Sequence, residues 1–237
     1  MHYAGVVPLQ GWLQLAVLEE VRTAEPPIRL SALFFEPGAA EQVVAEVQAL
    51  GDVVVGLGGP LTVHGDGSAR ASDELLAARG VSAQRPSSEL SRLAAMMSGM
   101  AVFRPATEGA ESGPVPEGAF REFPVFETNA DGVFCALQGR RLPAKRHPLG
   151  MQLRIDELAG DHVIDEGGDL WHRRIEELDA AACALCAHRY AVGHASWVGD
   201  DADGAIVLPG ASLPNEFART GVVPPVERLQ LPPLTHA

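Results

Sequence analysis

The feature that most restricts this chain's fold is a change of period between Tyr3 and Leu57. Tyr3–Val7, Trp12–Val21 and Ile28–Phe35 read as strands, the first two joined by Pro8–Gly11 and the third closed by Pro37-Gly38. Trp12, Gln14, Ala16 and Leu18 alternate with further apolar residues between them, so the second strand is expected to be covered on both faces. Such short connections favour an antiparallel meander. The period then changes. In Ala39–Leu50, Val43, Val47 and Leu50 fall at helical spacing with Val44 beside them, and Gly51 stands where a helix C-cap belongs. Val53–Leu57 is wholly apolar, as a buried parallel strand is. A meander followed by strand, helix and strand predicts an open mixed sheet with a right-handed crossover, in which Val53–Leu57 runs parallel to Tyr3–Val7.

The remainder is less regular. Ser72–Arg79 and Ser87–Met100 are expected helices within a Gly-, Ser- and Pro-rich stretch, and Glu108–Gly118 is a loop by composition. Met96, Met97 and Met100 are expected in the core. Phe123–Thr128 is a further strand, Leu149–Leu158 and Leu170–Val192 are helices, and Ala205–Leu208 is a last short strand. At 237 residues, 46% of them hydrophobic, the chain suits one large domain. Its expected extent is residues 1–213, with an insertion at about 62–118 and a Pro-rich C-terminal tail at 214–237.

Charge bounds the partners. The net charge is −13, and the one basic cluster is Arg140, Arg141, Lys145, Arg146 and His147. Phosphate neutralisation by Lys and Arg supplies most nucleic-acid affinity, so avid binding to duplex is disfavoured, although nucleic acid stays a possible partner. Three cysteines make no even disulfide framework, MHYAGVVPLQGW lacks the signature of a signal peptide, and no stretch is long enough to span a bilayer. The expected location is cytoplasmic, with no membrane partner.

Chemistry concentrates in Arg174–Val192, RIEELDAAACALCAHRYAV. Ile175, Asp179, Ala182 and Cys186 share one helical stripe with Cys183 beside it, so small residues crowd the side that carries Asp179. A carboxylate there is costly to bury unless paired, hydrogen-bonded or metal-bound. The alternative is a rim position in the first turns, favoured by the helix dipole. Cys183, Cys186 and His188 do not make a zinc site, because His188 points roughly 180° from Cys183 on a helix. Both cysteines read as small buried hydrophobes. Glu127 ends the strand FPVFE, where α/β sheets often place reactive groups. Gly56–Pro60 lacks the Lys and Ser/Thr of a phosphate loop.

In order along the chain, these segments resemble a family of predicted nucleases with a ribonuclease H-like fold (domain of unknown function 429). Tyr3–Val7 with Gly11-Trp12 resembles the family's opening strand and turn, and Val54–Leu61 its fourth strand. Arg70-Ala71-Ser72-Asp73 with Arg79-Gly80 resembles a recurring Arg/Asp segment, and Phe126-Glu127 a strand-ending glutamate. Lys145, Gly150 and Arg154 resemble a run leading into a helix, Glu177–Ala180 the acidic start of the last long helix, and Asp203–Pro209 the closing strand. The resemblance implies an α/β, ribonuclease H-like fold: a mixed five-stranded sheet of antiparallel meander plus parallel strands, flanked by helices. It implies phosphodiester hydrolysis with Mg²⁺ or Mn²⁺ held by clustered carboxylates. Here the family's aspartates are replaced by Val7 and Gly58. Glu127 and Asp179 remain as the expected catalytic pair, with Asp73 completing a weak metal set. Two readings follow: a catalytically degenerate protein that binds a partner or ligand in the former cleft, or a metal-dependent nuclease acting through Glu127 and Asp179. Either way, Val7, Gly58, Glu127 and Asp179 are expected around one cleft.

Overall fold

The computed structural model describes residues 1–21, 28–62, 69–105, 110–200 and 203–219. The opening meander forms as expected: β1 (His2–Leu9), β2 (Trp12–Val21) and β3 (Arg29–Phe34) pair antiparallel in order. Gln10 and Gly11, both at positive φ, make the tight turn between β1 and β2, whose twist suits a two-residue hairpin. Helix α1 (Ala40–Ala49) leads into β4 (Val53–Gly58), which pairs parallel with β1 from His2↔Val53 to Val6↔Leu57.

Beyond β4 lie α2 (Ala71–Ala78), α3 (Ser88–Met96), β5 (Ser112–Pro114), α4 (Ala119–Glu122), β6 (Val125–Thr128) and α5 (Ala130–Gln138). They are followed by α6 (Pro148–Gly160), β7 (Val163–Asp165), α7 (Ile175–Ala191), β8 (Ala195–Asp200) and β9 (Gly204–Pro209). The sheet has nine strands rather than the expected five, in the order β5-β8-β9-β6-β4-β1-β2-β3-β7. The strands not marked in the sequence are β8, which follows α7 after the turn at Gly193 and pairs antiparallel with β9, and the short β5 and β7. β5 and β7 are three residues each, too short to show a period, and are held by β8 and β3 respectively. Ser112–Pro114, inside the segment expected to be a loop, is thus an edge strand.

The expected helix Leu170–Val192 is two elements. Asp169 caps a single 3₁₀ turn, Leu170–His172, and Arg173 and Arg174 are extended before α7 starts. Glu177 reaches back to accept the Arg174 amide at 2.8 Å, fixing that start. Of the three expected core methionines, Met97 is buried and Met100 packs against the core, while Met96 is exposed.

Alternation along the strands divides the core. Ala4, Val6, Val55 and Leu57 pack with α1 and α3 on one face. Tyr3, Val7, Val54 and Phe126 pack with α5, α6 and α7 on the other. Every residue of α7 from Glu177 to Ala187 is buried, hence its small residues all round. A Cβ on Gly5 would fall 2.0 Å from the Ala180 carbonyl oxygen, and one on Gly56 2.7 Å from that of Cys183. Helix and sheet backbones therefore meet without side chains between them. Phe217, just past the last strand, is also buried, and residues 220–237 of the Pro-rich tail lie outside the described residues. Among the described residues no helix is long and apolar enough to cross a membrane.

Candidate functional site

The close seat of α7 on Gly5 and Gly56 decides what stands at the ends of β1 and β4. A Cβ on Gly58 would lie 2.7 Å from Val7 Cγ1 and 2.8 Å from Cys183 Sγ. The two positions where the family resemblance expects acids are thus in mutual contact and closed by a cysteine. Val7 is 3% exposed and Cys183 is fully buried. Burial, followed by the charge of Asp179, drives the Cys183 thiol well above its ordinary pKa, so it stays a neutral thiol. Neither Val7 nor Gly58 brings a side-chain oxygen to this point, and the nearest oxygen is the Val6 backbone carbonyl, 3.2 Å from where a Gly58 Cβ would lie.

Asp179 lies one turn earlier on α7 and is 7% exposed. Its Oδ2 accepts from Lys145 Nζ at 2.6 Å, while Oδ1 is buried with no partner among the described residues. Lys145 Nζ also lies 3.4 Å from Asp131 Oδ2 at the start of α5, and Asp131 Oδ1 accepts from Arg154 Nη2 at 2.7 Å. Two carboxylates and two cations therefore interlock beneath the loop between α5 and α6. Burial pushes the Asp179 carboxyl up to about 6, against the pull of Lys145. Burial works against the Lys145 charge, but Asp179 and Asp131 outweigh it and raise the ammonium above its ordinary value.

Glu127 sits elsewhere. Along β6, Val125 faces α1 and α3, Phe126 faces α7, and Thr128 meets Cys186 of α7, so alternation turns Glu127 away from α7. Its partner is Arg70, the residue before α2. Nη2 and Nη1 donate to Oε1 and Oε2 at 2.6 and 2.9 Å, and the Leu61 amide adds a bond to Oε2 at 2.9 Å. Arg70 also holds Asp73 through Nε at 2.9 Å and Nη2 at 3.1 Å. Burial raises the Glu127 carboxyl, with Arg70 and the Leu61 amide opposing it. Burial likewise opposes the Arg70 charge, but its hydrogen bonds to Glu127 and Asp73 carry it above the ordinary guanidinium value. A cavity of about 190 Å³, lined by Leu61, Thr62, Phe103, Arg104 and Glu127 among others, opens beside this pair.

The structure thus brings Glu127 together with Asp73, through Arg70, and sets Asp179 with Asp131, through Lys145. Among the described residues no three His, Cys, Asp or Glu side chains group so as to hold a metal ion. The donor set does not fit the divalent ions of the family resemblance. Val7 and Cys183 fill the space a Gly58 side chain would need, and each remaining carboxylate pair is bound to a cationic side chain.

Sequence reasoning placed Arg70, Lys145 and Arg154 in segments of interest without their role as counter-ions, and it missed Asp131. The available signal was Asn129 followed by ADGVFCALQ and Gly139, a capped helix with Asp131 in its first turn. Cys186 is also buried, and His188 stacks edge-on against Tyr3 at 4.9 Å, so the C-x-x-C-x-H string is core packing.

No family model matches the chain, and neither does any curated protein. Among solved structures it is similar to Thermus thermophilus RuvC, with 16% identity and a TM-score of 0.39. That match covers 80% of this chain and 94% of the RuvC chain.

Proposed function

We propose that this chain is a ribonuclease H-like protein that has no catalytic metal centre and acts by binding a partner or ligand at the former cleft. The observation that carries the reading is the contact of Val7, Gly58 and Cys183. A two-metal nuclease needs carboxylates from neighbouring strands at one point, and here the side chains of Val7 and Cys183 fill that point. The sheet order is compatible with the fold: β3, β2 and β1 are an antiparallel meander, and β4 and β6 continue it in parallel. Glu127 faces away from α7, so it and Asp179 do not form a pair across one reacting phosphate.

The test is a cleavage assay of purified protein on RNA, DNA and hybrid substrates with Mg²⁺ and with Mn²⁺. Glu127→Gln and Asp179→Asn are run alongside. The expected result is no turnover above background in any sample. Cleavage by the wild type that both substitutions abolish would overturn the proposal and restore a nuclease acting through Glu127 and Asp179.

A further inference from the structure

The segment after β9 crosses the surface with one side chain fully buried. Ala211, Ser212 and Pro214–Glu216 are exposed, Phe217 is 1% exposed, and Ala218 and Arg219 are exposed again. Two short stretches far apart in sequence receive it. On one side, at the C-terminal end of α2, the Arg79 carbonyl accepts the Phe217 amide at 3.0 Å. On the other, the Arg141 amide donates to the Ala218 carbonyl at 2.9 Å, and Arg140 pairs with Ala218 in a parallel bridge. Main-chain pairing on both sides of a buried aromatic is how a groove holds an extended peptide: the backbone bonds give hold and the pocket gives selection.

Arg141 makes that groove selective. Its Nε donates to the Phe217 carbonyl at 3.0 Å, and its Nη2 donates to Glu216 Oε1 at 2.6 Å. One guanidinium thus engages an acidic side chain and fixes the backbone of the aromatic residue that follows. Gly80, at φ +86°, leaves the room for it, since a Cβ there would fall 1.9 Å from Arg141 Nε and Cζ. The Glu216 carboxylate is largely exposed, so its ion pair sets register, while the burial of Phe217 supplies most of the hold.

We propose that the groove between Arg79-Gly80 and Arg140-Arg141 is a docking site for an extended peptide in which an acidic residue precedes an aromatic one, and that Glu216-Phe217 occupies it in cis as a built-in competitor. A segment anchored by a single buried side chain opens at far less cost than the whole domain, so this occupant is releasable. While seated, it competes with an incoming peptide at an effective concentration of about millimolar. The groove uses none of Val7, Gly58 or Cys183, so the proposal stands independently of the former cleft.

Fluorescence anisotropy of a labelled peptide, ASLPNEFAR (residues 211–219), titrated with the full chain, tests this. The wild type, its groove filled, should bind weakly. Phe217→Ala in the full chain empties the pocket and should bind the peptide at least about tenfold tighter. Adding Arg141→Ala to that chain, or replacing the peptide's phenylalanine by alanine, should remove the gain. Glu216→Arg, which sets like charges face to face and keeps the aromatic residue, is the second variant should Phe217→Ala fail to fold by circular dichroism. A folded variant that binds no tighter than wild type overturns the proposal. So does tighter binding that survives the loss of Arg141 or of the peptide's aromatic residue.

Discussion

Replacing Val7 and Gly58 with alanine, singly and together, measures the contact on which the reading of the cleft depends. Val7→Ala removes two methyl groups from a residue 3% exposed. At about 0.8 kcal/mol per buried methylene plus a cavity contribution, the loss is about 2–3 kcal/mol. Gly58→Ala places a methyl 2.7 Å from Val7 Cγ1, 2.8 Å from Cys183 Sγ and 3.2 Å from the Val6 carbonyl oxygen. Overpacking of that kind costs about 1–3 kcal/mol. Gly58 is not among the glycines at positive φ, so the restricted unfolded chain returns about 0.4–1 kcal/mol. The double variant should not show the sum. The methyl introduced by Gly58→Ala enters the space Val7 vacates, so the cycle should show a favourable coupling of about 1–2 kcal/mol. Equilibrium urea unfolding of the four proteins, with unchanged m-values, gives the number. Costs that add to within about 0.5 kcal/mol would mean that the two positions do not touch.

Two further outcomes follow from the charged clusters. Burial raises Asp179 to about 6 from an unfolded value near 3.9, so its contribution to stability is full below about pH 4 and lost as pH rises through about 6. A stability–pH profile of Asp179→Asn should lack that fall, at most about 3 kcal/mol; an identical profile would remove Asp179 as its source. Arg70→Met strands Glu127 and Asp73 and should cost about 3–5 kcal/mol in urea unfolding, with part recovered by adding Glu127→Gln. Arg70→Lys should restore little, because a single ammonium cannot reproduce the fork that grips both oxygens of Glu127.

The meander, the crossover and β4 were legible because each carries its period over enough residues to be counted. Val53–Leu57 pairs parallel with β1 as the unbroken apolar run implied. The small residues of α7 likewise announced a helix pressed against something. What they could not announce was Gly5 and Gly56 as the surface receiving it, since a glycine in a strand pattern fits a bulge as well as a close approach. β5 and β7 left no trace, because three residues satisfy their hydrogen bonds through a partner far away in sequence. The site was legible in its residues and not in its pairing. Asp73 and Arg70 are three apart and predictable as neighbours. Lys145 and Asp179 are joined by the packing of α6 on α7, which no local spacing encodes.

The two faces of the sheet solve one physical problem with different cations, and the choice follows from geometry. On the face away from α7, Glu127 is nearly enclosed, with side chain 6% exposed, and presents both oxygens to a partner in one direction. A planar guanidinium matches that pair, and its remaining N–H groups serve Asp73 and Thr62. On the α7 face, the two carboxylates come from different helices; the Arg154 guanidinium serves Asp131 alone, and the spot between the two carboxylates is left to Lys145. A compact ammonium suits that spot, and its flexible stem lets a surface loop supply it. Each cation is therefore tied to its own loop or helix, so an acid introduced at Val7 or Gly58 alone would put a carboxylate beside a thiol and leave Arg70, Lys145 and Arg154 in place. A single Gly58→Asp should accordingly lower stability in urea unfolding by more than Gly58→Ala, and without Mg²⁺-dependent recovery. Recovery by Mg²⁺ in that variant alone would mean that the apolar closure, rather than the internal cations, is what keeps a divalent ion out.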